Sequence, residues 1–253
     1  MRRRSRSWPS LSALVLVASA AHAGDAPPLD ALVAAYHDAI AGHDATTLFF
    51  RDGTSLPVGA ADADKPFDAL LCCATVRDQF RLPYPKGAEI SPPPKDFDPG
   101  RFRNEALFDK LYGDCRKGGV APRLVSVAWL GHTVKVTRAN GVAEHLGAVA
   151  AEIAALPEPV RRAAWPIAGT YNCRTVKDTG RPSMHAYGAA IDLNLAVSDY
   201  WLWEKGGWRN RMPRAIVDAF ERHGFIWGGR WDHYDTMHFE YRPELLAAPA
   251  APR

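Results

Sequence analysis

The second half of the 253-residue chain mixes short strand and helix patterns at irregular intervals, and this mixture constrains the fold most. Alternating apolar residues predict a hairpin over residues 124–136, and apolar residues three and four apart predict a helix over 142–156. A further helix is predicted over 213–223, flanked by short strands at 189–196 and 237–241. Because no regular βαβ rhythm connects these elements, we predict an α+β fold with a small antiparallel sheet and flanking helices.

The first half predicts a mostly helical N-terminal extension over residues 24–120. Apolar residues at helical spacing predict helices over 29–40, 67–80 and 104–112. A strand is predicted over 46–50, where it runs into a tight turn. The apolar and aromatic content of this region favours a folded body over a linker, and no motif in it identifies a role.

Three further boundaries follow from composition. Prolines and glycines concentrate in residues 84–100, which predicts an extended surface loop. The segment 121–246 carries the candidate functional residues described below and is predicted to be the main domain. The alanine- and proline-rich tail 247–253 is predicted to be frayed.

Residues 1–23 have the layout of a secretory signal peptide. Four arginines in the first six positions precede an apolar run at 11–21, and the Ala-His-Ala at 21–23 is a small-x-small cleavage site. The run is shorter than the roughly 20 residues that a membrane-spanning helix needs. We therefore expect an exported protein, periplasmic or extracellular, without stable membrane insertion after processing. An uncleaved N-terminal anchor is the alternative.

The charge balance argues against a nucleic-acid partner. Four of the 31 basic residues lie in the leader, which contains no acidic residue, so 27 basic residues face 28 acidic ones in the rest of the chain. A nucleic-acid-binding protein needs a basic surface, and this balance provides no sign of one.

The four cysteines, Cys72, Cys73, Cys115 and Cys173, suit an oxidising compartment and predict structural disulfides. An even number allows three pairings. We expect a bond between the neighbours Cys72 and Cys73 to be strained, which favours the two pairings that join them to Cys115 and Cys173. The chain contains no C-x-x-C spacing, which disfavours a thiolate zinc site.

Two segments near the C-terminus place imidazoles beside carboxylates. Residues 183–192 read SMHAYGAAID, and residues 232–240 read DHYDTMHFE. Zinc takes about four ligands from His, Cys, Asp or Glu, and a hydrolytic site leaves one position open. His185, Asp192 and His238 would supply two nitrogens and one oxygen from two elements. Taken singly, each histidine is better explained as a hydrogen-bonded strand residue than as a metal ligand.

These segments resemble the zinc D-Ala-D-Ala carboxypeptidase and L-Ala-D-Glu endopeptidase family, which includes vancomycin-resistance D,D-dipeptidases and phage endolysins. Residues 183–192 match each fixed position of its signature, Ser-x-His-x-x-Gly-x-Ala-x-Asp. Residues 235–240 match the second half, an acid three residues before a histidine that an aromatic and often Glu follow. Residues 224–231, GFIWGGRW, resemble the endopeptidase-like branch. The resemblance covers about residues 165–245.

The resemblance implies one zinc ion (Zn²⁺) per chain, with metal ligands His185, Asp192 and His238. Asp235 would be the general base for the attacking water, and Arg174 would bind substrate and stabilise the oxyanion. Arg181 is the alternative arginine. On a regular strand Asp235 and His238 would point to opposite faces, so the role requires Asp235 to lie in a turn before the strand. A turn-capping aspartate is the plainer interpretation.

Other residues near the two segments have less specific assignments. Glu240 would share a face with His238 and orient its ring, or else compete for the role of base. Ser183 would form a hydrogen bond within the site, and no Ser-His-Asp arrangement favours a nucleophile. His233 has no assigned role. Five tryptophans either wall a groove or belong to the core: Trp201, Trp203, Trp208, Trp227 and Trp231.

The resemblance therefore implies an exported zinc metallopeptidase, a hydrolase that acts on peptidoglycan stem peptides. An L-Ala-D-Glu endopeptidase is slightly preferred over a D-Ala-D-Ala carboxypeptidase because of the tryptophan-rich second half. The alternative is a non-catalytic zinc-containing module that binds cell-wall peptides, since hedgehog-type signalling domains use the same fold in this way. Asp235 and Arg174 argue against a binding module, which needs neither. A metal-free structural protein stabilised by disulfides is the third possibility.

Overall fold

The computed structural model describes residues 28–60, 62–176, 179–203 and 206–247. These residues form seven α-helices and eight β-strands, which lie in three small antiparallel sheets. The α+β fold class predicted from the sequence is therefore confirmed. The predicted signal peptide and residues 248–253 of the predicted tail lie outside the described residues. Within the described ranges, every helix falls short of the length and apolar character that a membrane crossing requires.

The N-terminal region begins with helix α1 (Pro28–Ala35) and an antiparallel sheet of three strands, β1 (Ile40–His43), β2 (Thr47–Phe50) and β3 (Ser55–Pro57). The helix predicted over 29–40 ends earlier because the chain turns at 36–39 and Ile40 pairs with Phe50. This region, expected to be mostly helical, thus also contains a sheet.

The predicted helix over 67–80 is interrupted. Helix α2 (Phe67–Cys73) is followed by a 3₁₀ turn, Arg77–Phe80. The Asp78 carboxylate accepts hydrogen bonds from the Thr75 backbone at 2.9 Å and from Lys65 Nζ at 2.8 Å, which stabilises the break. Residues 84–100 contain no helix or strand, as predicted, and lead to helix α3 (Glu105–Tyr112).

The C-terminal half contains a hairpin and four helices. The hairpin strands are β4 (Leu124–Trp129) and β5 (His132–Thr137), as predicted. The helices are α4 (Val142–Ala154), α5 (Glu158–Arg161), α6 (Arg214–Arg222) and α7 (Pro243–Ala247). Helices α4 and α6 lie where the sequence predicted them.

The third sheet contains β6 (Ala190–Asp192), β7 (Phe225–Trp227) and β8 (His238–Tyr241), with β8 in the centre. Strand β6 is shorter than the predicted strand over 189–196, because residues 195–197 form a 3₁₀ turn. Strand β7 was not predicted. All three of its residues are buried, so the sequence shows no alternation there.

One hydrophobic core unites the two halves of the chain. Its buried members from the N-terminal region include Leu32, Tyr36 and Phe108, and those from the second half include Trp129, Val149, Tyr187 and Phe220. Aromatic contacts cross between the halves, since the Phe108 and Tyr187 rings lie 5.8 Å apart. Residues 28–112 therefore pack as part of the same body as the C-terminal half.

The cysteines form two disulfides, but the predicted pairing is wrong. Cys72 pairs with its neighbour Cys73 at the end of α2, and Cys115 pairs with Cys173. The Cα atoms of Cys115 and Cys173 lie 5.8 Å apart, which is within the usual range for a disulfide, so the fold places these two cysteines where they can pair. The expected strain between neighbours therefore does not decide the pairing.

Candidate active site

The first histidine segment, residues 183–192, begins as a 3₁₀ turn and ends in strand β6, so His185 lies outside the strand. The turn runs over Met184–Tyr187, and Ser183 caps it by accepting a 3.3 Å hydrogen bond from the His185 backbone. Gly188 ends the turn at φ 68°, and a Cβ there would lie 3.0 Å from the Thr137 backbone nitrogen. The turn is thus packed closely on the β4–β5 hairpin, which fixes the buried His185.

Asp192 and His238 face each other directly across strands β6 and β8. Directly opposed residues of an antiparallel pair project from the same face of the sheet. The Asp192 carboxylate lies 2.9 Å from His238 Nδ1 and 3.1 Å from His185 Nε2. The two ring nitrogens are 3.2 Å apart. The structure therefore brings the three predicted metal-binding side chains to one point.

The other nitrogen of each ring points outward to an acceptor. His185 Nδ1 lies 2.6 Å from the carbonyl oxygen of Thr170, and His238 Nε2 lies 2.9 Å from Glu240 Oε2. A neutral imidazole that donates to such an acceptor presents its other nitrogen as a lone pair. Two nitrogen lone pairs and a carboxylate thus converge, and this donor set fits zinc.

Neighbouring charged groups determine the protonation states of His238 and Glu240. Burial alone would lower the pKa of His238, but hydrogen bonds to Asp192 and Glu240 raise it to about 10. Burial would raise the pKa of Glu240, but the His238 hydrogen bond and the charge of Arg103 lower it to about 2. The cluster therefore favours a positive charge on the ring when no cation is bound.

Asp235 lies in the turn before β8, as its predicted role required. Its carbonyl oxygen accepts a 3.2 Å hydrogen bond from the His238 backbone, and its own backbone nitrogen donates to Gly228 at 3.0 Å. The carboxylate lines the same cleft as His238, and its Oδ1 is enclosed without a partner among the described residues. Burial raises the pKa of Asp235 to about 6. A carboxyl group with such a pKa can exchange a proton near neutral pH.

The two candidate arginines have different surroundings. Arg174 is exposed on the rim of the cleft, and it forms no ion pair with any described residue. Arg181 is buried in the cleft wall, where it donates to the backbone carbonyls of Leu71 and Arg103. Arg174 is therefore the more accessible of the two.

A segment of the N-terminal region completes the cleft. Residues 96–103, here called the strap, lie along the segment 231–242 and bind it through backbone and side-chain groups. The bonds join the Phe97 carbonyl to Asp232, the Asp98 carboxylate to His233, the Pro99 carbonyl to Trp231 and the Gly100 carbonyl to Arg242. The strap thereby brings Arg101 and Arg103 to the cleft, neither of which the sequence pattern identified.

His233, without a role in the sequence analysis, is part of the cleft lining. Its Nδ1 lies 2.8 Å from the Asp98 carboxylate, and its ring stacks on Phe67 at 5.5 Å. Only three of the five tryptophans lie in the expected places, since Trp203 is exposed and Trp208 is half-buried outside the cleft lining. Trp201 and Trp231 line the cleft, whereas Trp227 is completely buried in the core.

Comparison with known proteins adds one match. Residues 177–241 match a family model described as D-alanyl-D-alanine carboxypeptidase, which confirms the resemblance identified in the sequence. The matched range includes His185, Asp192, Asp235 and His238 and begins after Arg174. No curated protein and no solved structure gives a significant match. The family match supports a peptidase that acts on peptidoglycan in general.

Proposed function

We propose that the chain, given this match, is an exported zinc metallopeptidase that hydrolyses a peptide bond in the stem peptides of peptidoglycan. The convergence of His185, Asp192 and His238 beside the enclosed carboxylate of Asp235 carries the proposal. The family match supports the substrate class, and the leader at residues 1–23 supports export.

The three converging side chains would hold the metal through His185 Nε2, the Asp192 carboxylate and His238 Nδ1. Bound zinc supplies Lewis acidity, which polarises the scissile carbonyl and makes a water molecule nucleophilic at neutral pH. The Thr170 carbonyl and Glu240 keep the ring protons of both histidines on the far side from the converging atoms. These two acceptors thus orient the ligands.

Asp235 would move the protons of the reaction. Its Oδ1 accepts a proton from the attacking water and donates it to the nitrogen of the departing amine. The enclosed position and the raised pKa support this role, because a base with a pKa near the working pH can both take and return a proton. Asp235→Asn would keep the shape of the side chain and remove the proton acceptor.

Arg174 would bind the substrate carbonyl and stabilise the negative charge that develops on its oxygen. The guanidinium is exposed at the cleft rim, and no described residue neutralises it, so it is available for a substrate. A fixed cation aimed at developing charge contributes about 3 kcal/mol to transition-state stabilisation. Of the two candidate reactions, we favour cleavage of the L-Ala-D-Glu bond slightly over removal of a terminal D-Ala, because the second half of the chain is rich in tryptophan.

Digestion of purified peptidoglycan tests this proposal. The full protein is incubated with zinc or with a chelator, and the released fragments are identified by mass spectrometry. We expect new fragments only in the zinc-containing reaction, and their masses name the bond that is cut. The control Asp218→Asn, a surface aspartate paired with Arg214, should release the same fragments. A protein that holds zinc but releases nothing would instead be a binding module.

A further inference from the structure

Two buried arginines, from distant parts of the sequence, lie side by side in the wall of the cleft. Arg103 ends the strap and is 8% exposed, and Arg181 precedes the first histidine segment and is 7% exposed. The sequence pattern offers Arg181 only as an alternative to Arg174 and does not identify Arg103. Neither residue has a place in the proposed reaction.

Backbone carbonyls hold both guanidiniums in position. Arg181 donates from Nη1 to Leu71 and from Nη2 to the carbonyl oxygen of Arg103. Arg103 Nη2 donates to the carbonyl oxygen of Pro182 at 3.0 Å. The two residues therefore brace each other, since each binds the backbone at or beside the other. Carbonyl oxygens orient a guanidinium, but they do not neutralise its charge.

The positive charge of this pair is only partly compensated. Arg181 forms no salt bridge with any residue that the structure describes. Arg103 Nη1 lies 3.8 Å from Glu240 Oε2, but Glu240 also binds His238 at 2.9 Å and Arg242 at 3.2 Å. Burial, together with the charge of Arg103, lowers the pKa of Arg181 to about 10. A buried cation without its own counterion is costly, and an incoming anion would relieve that cost.

One donor of the pair is unused. The Nε atom of Arg181 is buried and has no hydrogen-bond partner among the described residues. Unsatisfied buried donors are rare in folded proteins, and such a group in a cleft wall points to a ligand that is bound there. The planar guanidinium matches the two oxygens of a carboxylate better than a point charge does.

We infer that Arg103 and Arg181 form a subsite that binds a carboxylate of the peptide substrate. The inference rests on the proposed function, because a stem peptide supplies the carboxylate. Two sources share this chemistry: the C-terminal carboxylate of the peptide and the free α-carboxylate of its D-Glu residue. The subsite would make the enzyme prefer acidic peptides over their amides, and its loss would remove that preference.

Three forms of one synthetic stem peptide test the inference without altering the protein. The first form has both carboxylates free, the second is amidated at the C-terminus, and the third is amidated at the D-Glu α-carboxylate. We expect one amide to lower kcat/KM by about tenfold or more, which corresponds to the loss of one charge-assisted interaction. The amidated peptide whose kcat/KM falls identifies the carboxylate that the subsite binds. Cleavage of both amides within about twofold of the free acid overturns the inference.

Variants of the protein assign the preference to these two arginines. In Arg103→Gln and Arg181→Gln, the ratio of kcat/KM for the free-acid peptide to kcat/KM for the sensitive amide should fall towards one, whatever the change in the absolute rates. The control Arg162→Gln alters a surface arginine that pairs with Glu158, and it should retain the full preference. An undiminished preference in both cleft variants contradicts the assignment.

A binding measurement separates this inference from the proposed function. If no peptide is cleaved, the proposed function fails, and the three peptides are then titrated calorimetrically into the zinc-free protein. Tighter binding of the free acid than of one amide supports the subsite even in the absence of turnover. Equal affinities for all three forms overturn it.

Discussion

Tyr36 donates a 2.6 Å hydrogen bond to Glu244, and this bond joins the turn that follows helix α1 to helix α7. Arg242 continues the connection, since it binds Glu244 at 2.6 Å and Glu240 at 3.2 Å. Glu240 in turn accepts a hydrogen bond from the His238 ring. A chain of buried polar groups thus runs from the turn after helix α1 to a candidate metal ligand.

Tyr36→Phe tests the first bond of this chain. We expect the free energy of unfolding to fall by about 1–3 kcal/mol, because a buried, charged acceptor loses its donor. Denaturant titration at neutral pH measures the change. In a Glu244→Gln background the same substitution should cost clearly less, since the acceptor is then uncharged. Equal costs in both backgrounds would mean that the hydroxyl acts independently of Glu244.

Glu240→Gln tests the support of His238. Loss of the negative charge should weaken zinc binding about tenfold or more, because the His238 ring becomes a poorer donor to the metal. Competition with a chromophoric chelator measures the affinity. The control Glu158→Gln lies on a surface helix and should leave it unchanged. If Glu240→Gln binds zinc with unaltered affinity, Glu240 does not support His238 as a metal ligand.

Asp235→Asn separates proton transfer from metal binding. We expect turnover to fall by about 10²–10⁴-fold, because the amide cannot accept a proton. Zinc content, measured by elemental analysis, should stay at one per chain. Retained turnover would exclude Asp235 as the base, whereas loss of zinc would place it among the ligands.

The His233–Asp98 pair predicts a dependence of stability on pH. The hydrogen bond to Asp98 raises the pKa of His233 above its ordinary value of 6.5. For a raised pKa, the stabilisation is fully present below 6.5 and is lost as the pH rises through the folded-state value. His233→Gln should therefore lower the free energy of unfolding more at pH 6 than at pH 9, by about 1 kcal/mol. The exposed His37→Gln is the control, and an equal loss at both pH values for His233→Gln would contradict the prediction.

The two disulfides should differ in their effect on stability. Cys115–Cys173 closes a loop with a sequence separation of 58, and in the chain-entropy model its loss costs about 4 kcal/mol. Cys72–Cys73 joins adjacent residues and restricts the unfolded chain very little. The double variants Cys115→Ser/Cys173→Ser and Cys72→Ser/Cys73→Ser form a matched pair for thermal unfolding. A larger loss from the second pair would contradict the loop argument.

The sequence predicted those helices and strands in which apolar residues recur with a clear period. The hairpin at 124–137 alternates, and helix α4 has apolar residues at helical spacing, so local pattern and tertiary burial agree there. Strand β7 and the break after Cys73 were missed, since the first is apolar throughout and the second depends on the Asp78 carboxylate. Burial and side-chain capping overrode the local pattern in both places.

The candidate site likewise contains some residues that the sequence could identify and others that only the structure shows. His185, Asp192, Asp235 and His238 stand in two short segments, and a family signature could therefore identify them. Arg101 and Arg103 reach the cleft only because the strap binds the segment 231–242. A contact between residues more than 100 positions apart leaves no periodic trace in one sequence. The sequence also could not give the cysteine pairing, which depends on how the two halves pack.

The strap sets a limit on how this protein can be shortened. A fragment that begins at residue 121 would contain every candidate metal ligand, but it would lose the Gly100 carbonyl that holds Arg242 and the guanidinium of Arg103 beside Glu240. The Phe108 ring, which packs on Tyr187, would also be lost and would leave a gap in the shared core. A shortened form of the protein that keeps the candidate site intact therefore needs the strap and helix α3 as well as the segments that carry the two motifs.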